Sequence, residues 1–272
     1  MDFVDLTEAY RDKLIKENDR TAYENSFPEL FNHYYEYWAK RNFEITYLND
    51  SELKIRGDWI RDHVRVLKAI LRDEKIDTSY IDIVLMVGVK TSNGHAFRHN
   101  GRFYVWLPLE TYNSEKLVKV FVTHELVHAL HYYHNQDFYF ESVDERNVLS
   151  RQLITEGMAT YLTKRLLGVS DTEALWGDYL RRATAASWLE ECRRREKEIF
   201  ALIRKYFYSS SPEYDIFTMS DPDDILKYRA GYYAGLRLVE EVAEGDGLTG
   251  TELLTAPRNR FEERALSIAG NI

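Results

Sequence analysis

Cysteine is almost missing from this chain. Cys192 is the only one in 272 residues, so no internal disulfide forms and no thiolate metal site can be built. Any bound metal must be held by His, Asp or Glu. Long apolar runs are missing as well. The longest, Ile83 to Val89 (IVLMVGV), falls far short of the roughly 20 residues that a membrane-spanning helix needs. There is no excess of positive charge: the formal net charge of −9 argues against nucleic acid as a partner, because phosphate binding needs a basic face. The first residues, MDFVDLTEAYRDKLIKEND, are charged from the second position and lack a basic segment followed by an apolar one. They do not read as a signal peptide, and a cytoplasmic location without membrane association is expected. Internal repeats and low-complexity tracts are also absent.

What is present is ample core material, 44% hydrophobic residues with twenty tyrosines, enough for one large domain or two small ones. Residues 1–75 read as helices. FPELFNHYYEYWAKR and GDWIRDHVRVLKAILRDE both carry apolar residues at three- and four-residue spacing, and Gly57 or Asp58 is the expected cap of the second. Two or more strands are expected between 80 and 109, where YIDIVLMVGV is compact and β-branched and GRFYVWLPL alternates. Ser92–Gly94 and His99–Gly101 read as turns between them. Helices then follow: one capped by Ser114 and running to about His131, one over 148–167 ending at Gly168, and a long arginine-rich one over 172–206. After a break at 209–224, DDILKYRAGYYAGLRLVEEVA reads as a further helix.

Four of the eight histidines fall within FVTHELVHALHYYH, Phe121 to His134. His124, Glu125 and His128 form H-E-x-x-H. On a helix, positions i and i+4 lie one above the other, so two imidazoles at that spacing can ligate one zinc ion. Glu125 follows the first ligand directly and lies at the edge of the same face. There it can take the proton of a zinc-bound water as general base. Leu117, Val120 and Phe121 continue this face as an apolar stripe, and buried imidazoles on such a stripe need polar partners, which a metal supplies.

The third ligand is open on spacing alone. His134 stands where H-E-x-x-H-x-x-G-x-x-H proteases place their third histidine, although His131 occupies the glycine position that lets such chains turn out of the helix. FTMSD around Met219 would be the methionine turn of that metzincin-like alternative. The other candidate is Glu156 in LITEGMATYLTKRL, on the expected next helix.

HELVH followed by TEGMATYL resembles the gluzincin branch of zinc peptidases, and most closely an uncharacterised bacterial family of predicted zinc-dependent proteases. The resemblance covers about residues 80–240 and implies Glu156 as third ligand to a single Zn²⁺ beside His124 and His128. It places Thr160 where thermolysin-like relatives carry an aspartate that orients a ligand, and a threonine offers only a hydroxyl. Asp137, Glu141, Asp144 or Glu145 would then supply that carboxylate. His131 would line the cleft and His134 would sit in the following loop. The resemblance also implies that Tyr228 or Tyr232, in KYRAGYYAG, donates to the developing oxyanion, and that RFYVWLP is an edge strand pairing with substrate backbone. The G-x-M-E-N segment that reads a free amino terminus is absent, so endopeptidase or oligopeptidase action on peptide or protein is expected. Arg181, Arg182 and Arg193–Arg195 read as a solvated helix face. The expected whole is an α+β, mainly helical zincin-like domain over 78–272 with a small sheet, preceded by an N-terminal helical segment over 1–77. The alternative from another class is a non-catalytic zincin-fold binding protein.

Overall fold

Ile81–Met86 (IDIVLM) is buried at every position, the pattern of a strand covered on both faces. In the computed structural model, which describes residues 1–211 and 215–271, it is β2 of a four-stranded sheet among the described residues. Phe3–Asp5 forms β1, His95–His99 forms β3 and Arg102–Pro108 forms β4, in the order β1-β2-β4-β3. Both pairs made by β2 are parallel, with Ile83 opposite Phe3 on one side and Val105 on the other. The β3–β4 pair is antiparallel, with His95 opposite Trp106. Its turn is Asn100–Gly101, both left-handed (φ 49° and 74°), the pair that a two-residue hairpin of matching twist demands. Asp82 is the polar residue in β2, and it is satisfied by a bidentate Arg102 at 2.7 and 2.9 Å.

The chain is α+β and mainly helical, and it forms two compact units, Met1–Ala129 and residue 130 onward. In the first unit, Pro28–Tyr37 is α1 and Asp50–Asp73 is α2. The cap of α2 is Asn49, which forms a reciprocal capping box with Glu52, so Gly57 and Asp58 lie inside the helix rather than at its start. Residues 3–5, read as helix from sequence, form β1. A three-residue strand is too short to show alternation, and its pairing with β2 decides its state. The segment leaving β2 is fixed by side chains. Tyr23 Oη accepts from Val87 N–H and donates to Val87 O, and Tyr34 Oη accepts from Val89 N–H. The buried Glu110 carboxylate accepts from Gly88 and Lys90 N–H. Desolvation pushes the Glu110 pKa up, against these hydrogen bonds.

The helix bearing the histidine cluster, α3, is Thr123–His134 and continues three residues beyond the expected end. In the second unit, α4 spans Leu149–Leu167 and ends at Gly168, as the sequence implied. The expected single helix over 172–206 is three: α5 (Asp171–Trp176), α6 (Arg182–Arg194) and α7 (Glu196–Tyr206). Gly177, at φ 58° and ψ −112°, ends the first of them in a conformation open to glycine. Of the expected break at 209–224, residues 212–214 lie outside the described residues. The next helix starts later than expected: Ile225–Lys227 is a single 3₁₀ turn, Arg229 is left-handed, and α8 is Ala230–Asp246. Helix α4 crosses α8 where Gly157 meets Gly235. A Cβ on Gly157 would lie 2.2 Å from Gly235 O, so the two helices touch backbone to backbone. Lys164 adds a charged link, 2.6 Å from Glu240 and 2.7 Å from Asp171.

His63 on α2 is buried, with Nε2 2.9 Å from Thr123 Oγ1. Burial, aided by the Lys119 charge, lowers its pKa to about 4, from the ordinary 6.5. Between these values the unfolded chain binds the proton and the folded unit does not, so stability falls as pH drops from about 6.5 towards about 4. The single group accounts for about 2 kcal/mol between pH 7 and pH 5. Urea midpoints measured at both pH values should show His63→Gln losing much less stability on acidification than the wild type.

Candidate metal centre

The site is built on a helix that starts conventionally and then widens. Ser114 Oγ accepts from Leu117 N–H at 3.1 Å, capping one α turn at Glu115–Leu117. Val118–Val122 then runs as a π-helix, with Val118, Val120, Phe121 and Val122 buried. Such wide turns re-aim the residues that follow. Thr123, the first residue of α3, is anchored by its hydroxyl donating to Lys119 O at 2.7 Å, beside His63. The buried valine and phenylalanine stripe therefore delivers His124 and His128 into the interior rather than to solvent.

Both histidines are buried, at 5% and 2% exposure, and their Nε2 atoms are 3.2 Å apart. The rings stand nearly perpendicular, 81° apart. Two imidazole nitrogens at about 2.0–2.1 Å from a tetrahedral zinc are separated by about 3.3 Å, so the observed spacing suits a shared cation. Glu125 is buried at 6% exposure. It belongs to a group with His95 and His128 whose ligand atoms all lie within 4.8 Å of one another. His95 was not singled out from sequence. It opens β3, is 3% exposed, and its ring centroid lies 5.3 Å from that of His128 and 4.6 Å from that of Trp38. The preceding Gly94 has φ 150°, and a Cβ there would come within 2.6 Å of Trp106 O and 3.0 Å of Glu125 Cγ.

Other expected residues are placed differently. His131 is wholly buried with its ring 4.4 Å from Phe138, so it packs inside the second unit instead of lining a cleft. His134 is the last residue of α3, not part of a loop. Six residues past His128 on one helix, it is turned by roughly 240° and displaced by about 9 Å along the axis. The sharp exit that the metzincin-like alternative requires is therefore missing. Met219 is 58% exposed, unlike a methionine packed beneath a metal.

Glu156 is half-buried on α4, next to the Gly157 crossing. Thr160, one turn on, is buried, with no hydrogen-bond partner for its hydroxyl among the described residues. Asp137, Glu141, Asp144 and Glu145 are all exposed, so none is a buried carboxylate poised to orient a histidine. Tyr228 lies outside the helix expected to carry it, with its ring 5.6 Å from Trp176. Tyr232 is on α8 beneath the Arg229 guanidinium, 4.1 Å from the ring centroid. RFYVWLP is β4 and lies inside the sheet; the edge on that side is β3. The expectation of an edge strand there is corrected, because the short HAFRH segment after Gly94 adds a strand on that side. The arginine face is as expected, with Arg194 and Arg195 paired to Glu191 and Glu198 three residues away.

The model of a family described as predicted Zn-dependent protease (DUF2268) matches residues 29–263. The chain belongs to this family. No curated protein and no solved structure matches it. The predicted Zn-dependent protease family thus supplies zinc and a peptidase in general terms, and the buried histidine pair lies inside the matched region. No described helix is long and apolar enough to cross a membrane.

Gly94 gives a direct probe of how tightly this centre is held. Gly94→Ala forces a strained backbone and presses on Glu125 and β4, at a cost of about 1–3 kcal/mol. A lowered denaturation midpoint together with weakened zinc binding is the expected result, and an unchanged midpoint would contradict this packing.

Proposed function

We propose that the protein is a gluzincin-type zinc peptidase holding one ion through His124, His128 and Glu156, with Glu125 as general base. The observation that carries the reading is the buried Nε2 pair 3.2 Å apart with Glu125 alongside. Buried imidazoles this close must either share a proton or face a cation. Glu156 rests on the E-G-x-A-x-Y resemblance. It is supported by its place on α4, a helix seated firmly in its unit by the glycine crossing. The catalytic region is proposed to span 78–272, with 1–77 as an N-terminal segment.

When bound, the ion supplies Lewis acidity that polarises a peptide carbonyl and makes water acidic enough to lose a proton near neutrality. Glu125 receives that proton, and its burial keeps its carboxylate out of competing bulk water. Substrate backbone is proposed to pair with the edge strand β3. Tyr228 or Tyr232 is proposed as an oxyanion donor. Extended polypeptide is the proposed substrate, cut as an endo- or oligopeptidase in the cytoplasm. The alternative is a metal-holding scaffold that cuts nothing.

Zinc analysis of the purified protein, with casein digestion before and after chelation, tests this function. Glu125→Gln should retain zinc and lose at least about 100-fold in rate. Glu156→Gln should bind zinc more weakly and lose hydrolysis, because a neutral amide oxygen is a poor donor. His134→Ala should change neither. Zinc lost from His134→Ala but kept in Glu156→Gln would restore the metzincin-like alternative, and a zinc-loaded wild type that leaves casein intact would favour the scaffold.

A further inference from the structure

His95 is a polar residue buried at the start of β3, outside the proposed set of ligands and base. Its ring nitrogens approach the Glu125 carboxylate and His128, all three ligand atoms lying within 4.8 Å. Three features fix it there. His95 pairs with Trp106 at the start of the edge strand β3. Its ring packs on Trp38 at 4.6 Å and stacks parallel to His33, at 7° between planes and 6.3 Å between centroids. The chain leading to it from β2 is held by Tyr23, Tyr34 and Glu110, and further on the Tyr112 hydroxyl donates to Asn93 O. Gly94 lets this chain run against Trp106 and Glu125 with no side chain intervening. Such support is what a preorganised hydrogen-bond donor requires, since its benefit comes from not having to move when charge develops.

We infer that His95 is a catalytic residue that donates an imidazole N–H to the oxygen of the tetrahedral intermediate formed beside Glu125. This inference rests on the peptidase reading above. Two other tasks compete for the same side chain. As a metal ligand with Glu125 and His128, His95 would consume the Glu125 carboxylate and leave His124 unused, although its Nε2 is the atom 3.2 Å from His128. As mere filling between Trp38 and His128, a histidine brings polar atoms that an apolar ring would not have to bury. A donor beside the Glu125 carboxylate instead stands where the proposed reaction takes place.

His95→Phe preserves the ring against Trp38 and removes the N–H. Wild type and variant are compared on a quenched fluorogenic peptide copying the preferred casein cut, and on a phosphinic analogue of that peptide, which mimics the tetrahedral oxygen. The variant should hold as much zinc as the wild type, keep KM within about threefold, and lose about 100-fold in kcat. Affinity for the phosphinic analogue should fall by a similar factor. His95→Gln, which retains an N–H, should recover part of both losses, and it serves as the test if the phenylalanine variant does not fold. Loss of zinc from either variant would make His95 a ligand and overturn the inference. Unchanged kcat, or a lower kcat with unaltered phosphinic affinity, would reduce it to packing and overturn it too. A zinc-loaded wild type that cuts no casein would sink the peptidase reading itself, a result distinct from any effect confined to the variants.

Discussion

Two imidazole nitrogens held 3.2 Å apart in the interior are the constraint around which the first unit is organised. Polar rings in such a place cost stability unless something satisfies them. The helix that carries them is accordingly fixed from several sides: capped by Ser114, widened through Val118–Val122, and anchored at Thr123 through Lys119 and His63. The sheet serves the same end. Its buried parallel strands place the β3 hairpin, with His95 at its start, against the helix face that bears Glu125.

In the second unit the organising contact is between backbones. Gly157 and Gly235 allow α4 and α8 to approach closer than any side chain would permit, and the Lys164–Glu240 ion pair ties the same helices further along. This explains the glycine of TEGMATYL in physical terms: it is a packing residue, and the glutamate before it sits on a rigid element. A carboxylate on a rigid helix loses little freedom on binding a cation, which suits a ligand better than a residue on a loop.

The elements with strong local signals were legible in the sequence. IDIVLM reads as a buried strand because every position is apolar except Asp82, and Asn100–Gly101 reads as a turn because both residues tolerate positive φ. His124, Glu125 and His128 are legible because helical periodicity alone puts the histidines together. What the sequence concealed depends on distant contacts. Phe3–Asp5 is a strand only because β2 accepts it. The run 172–206 carries helical periodicity throughout, but Gly177 interrupts the chain where the pattern does not. His95 had no motif to mark it. A histidine beginning a short strand gains meaning only when that strand is laid beside α3, and it was the HAFRH segment that also displaced RFYVWLP from the sheet edge.

The membership of the chain among predicted Zn-dependent proteases and the spacing of its histidine pair both lead to zinc. The central claim is finer: two imidazoles and one carboxylate hold the ion. X-ray absorption spectroscopy at the zinc edge of the loaded protein tests it most directly, because imidazole rings give characteristic outer-shell scattering and a carboxylate does not. Two histidines with oxygen completing a shell at about 2.0–2.1 Å is the predicted result. Three histidines around the ion, with His134 or His95 as the third, would contradict the account.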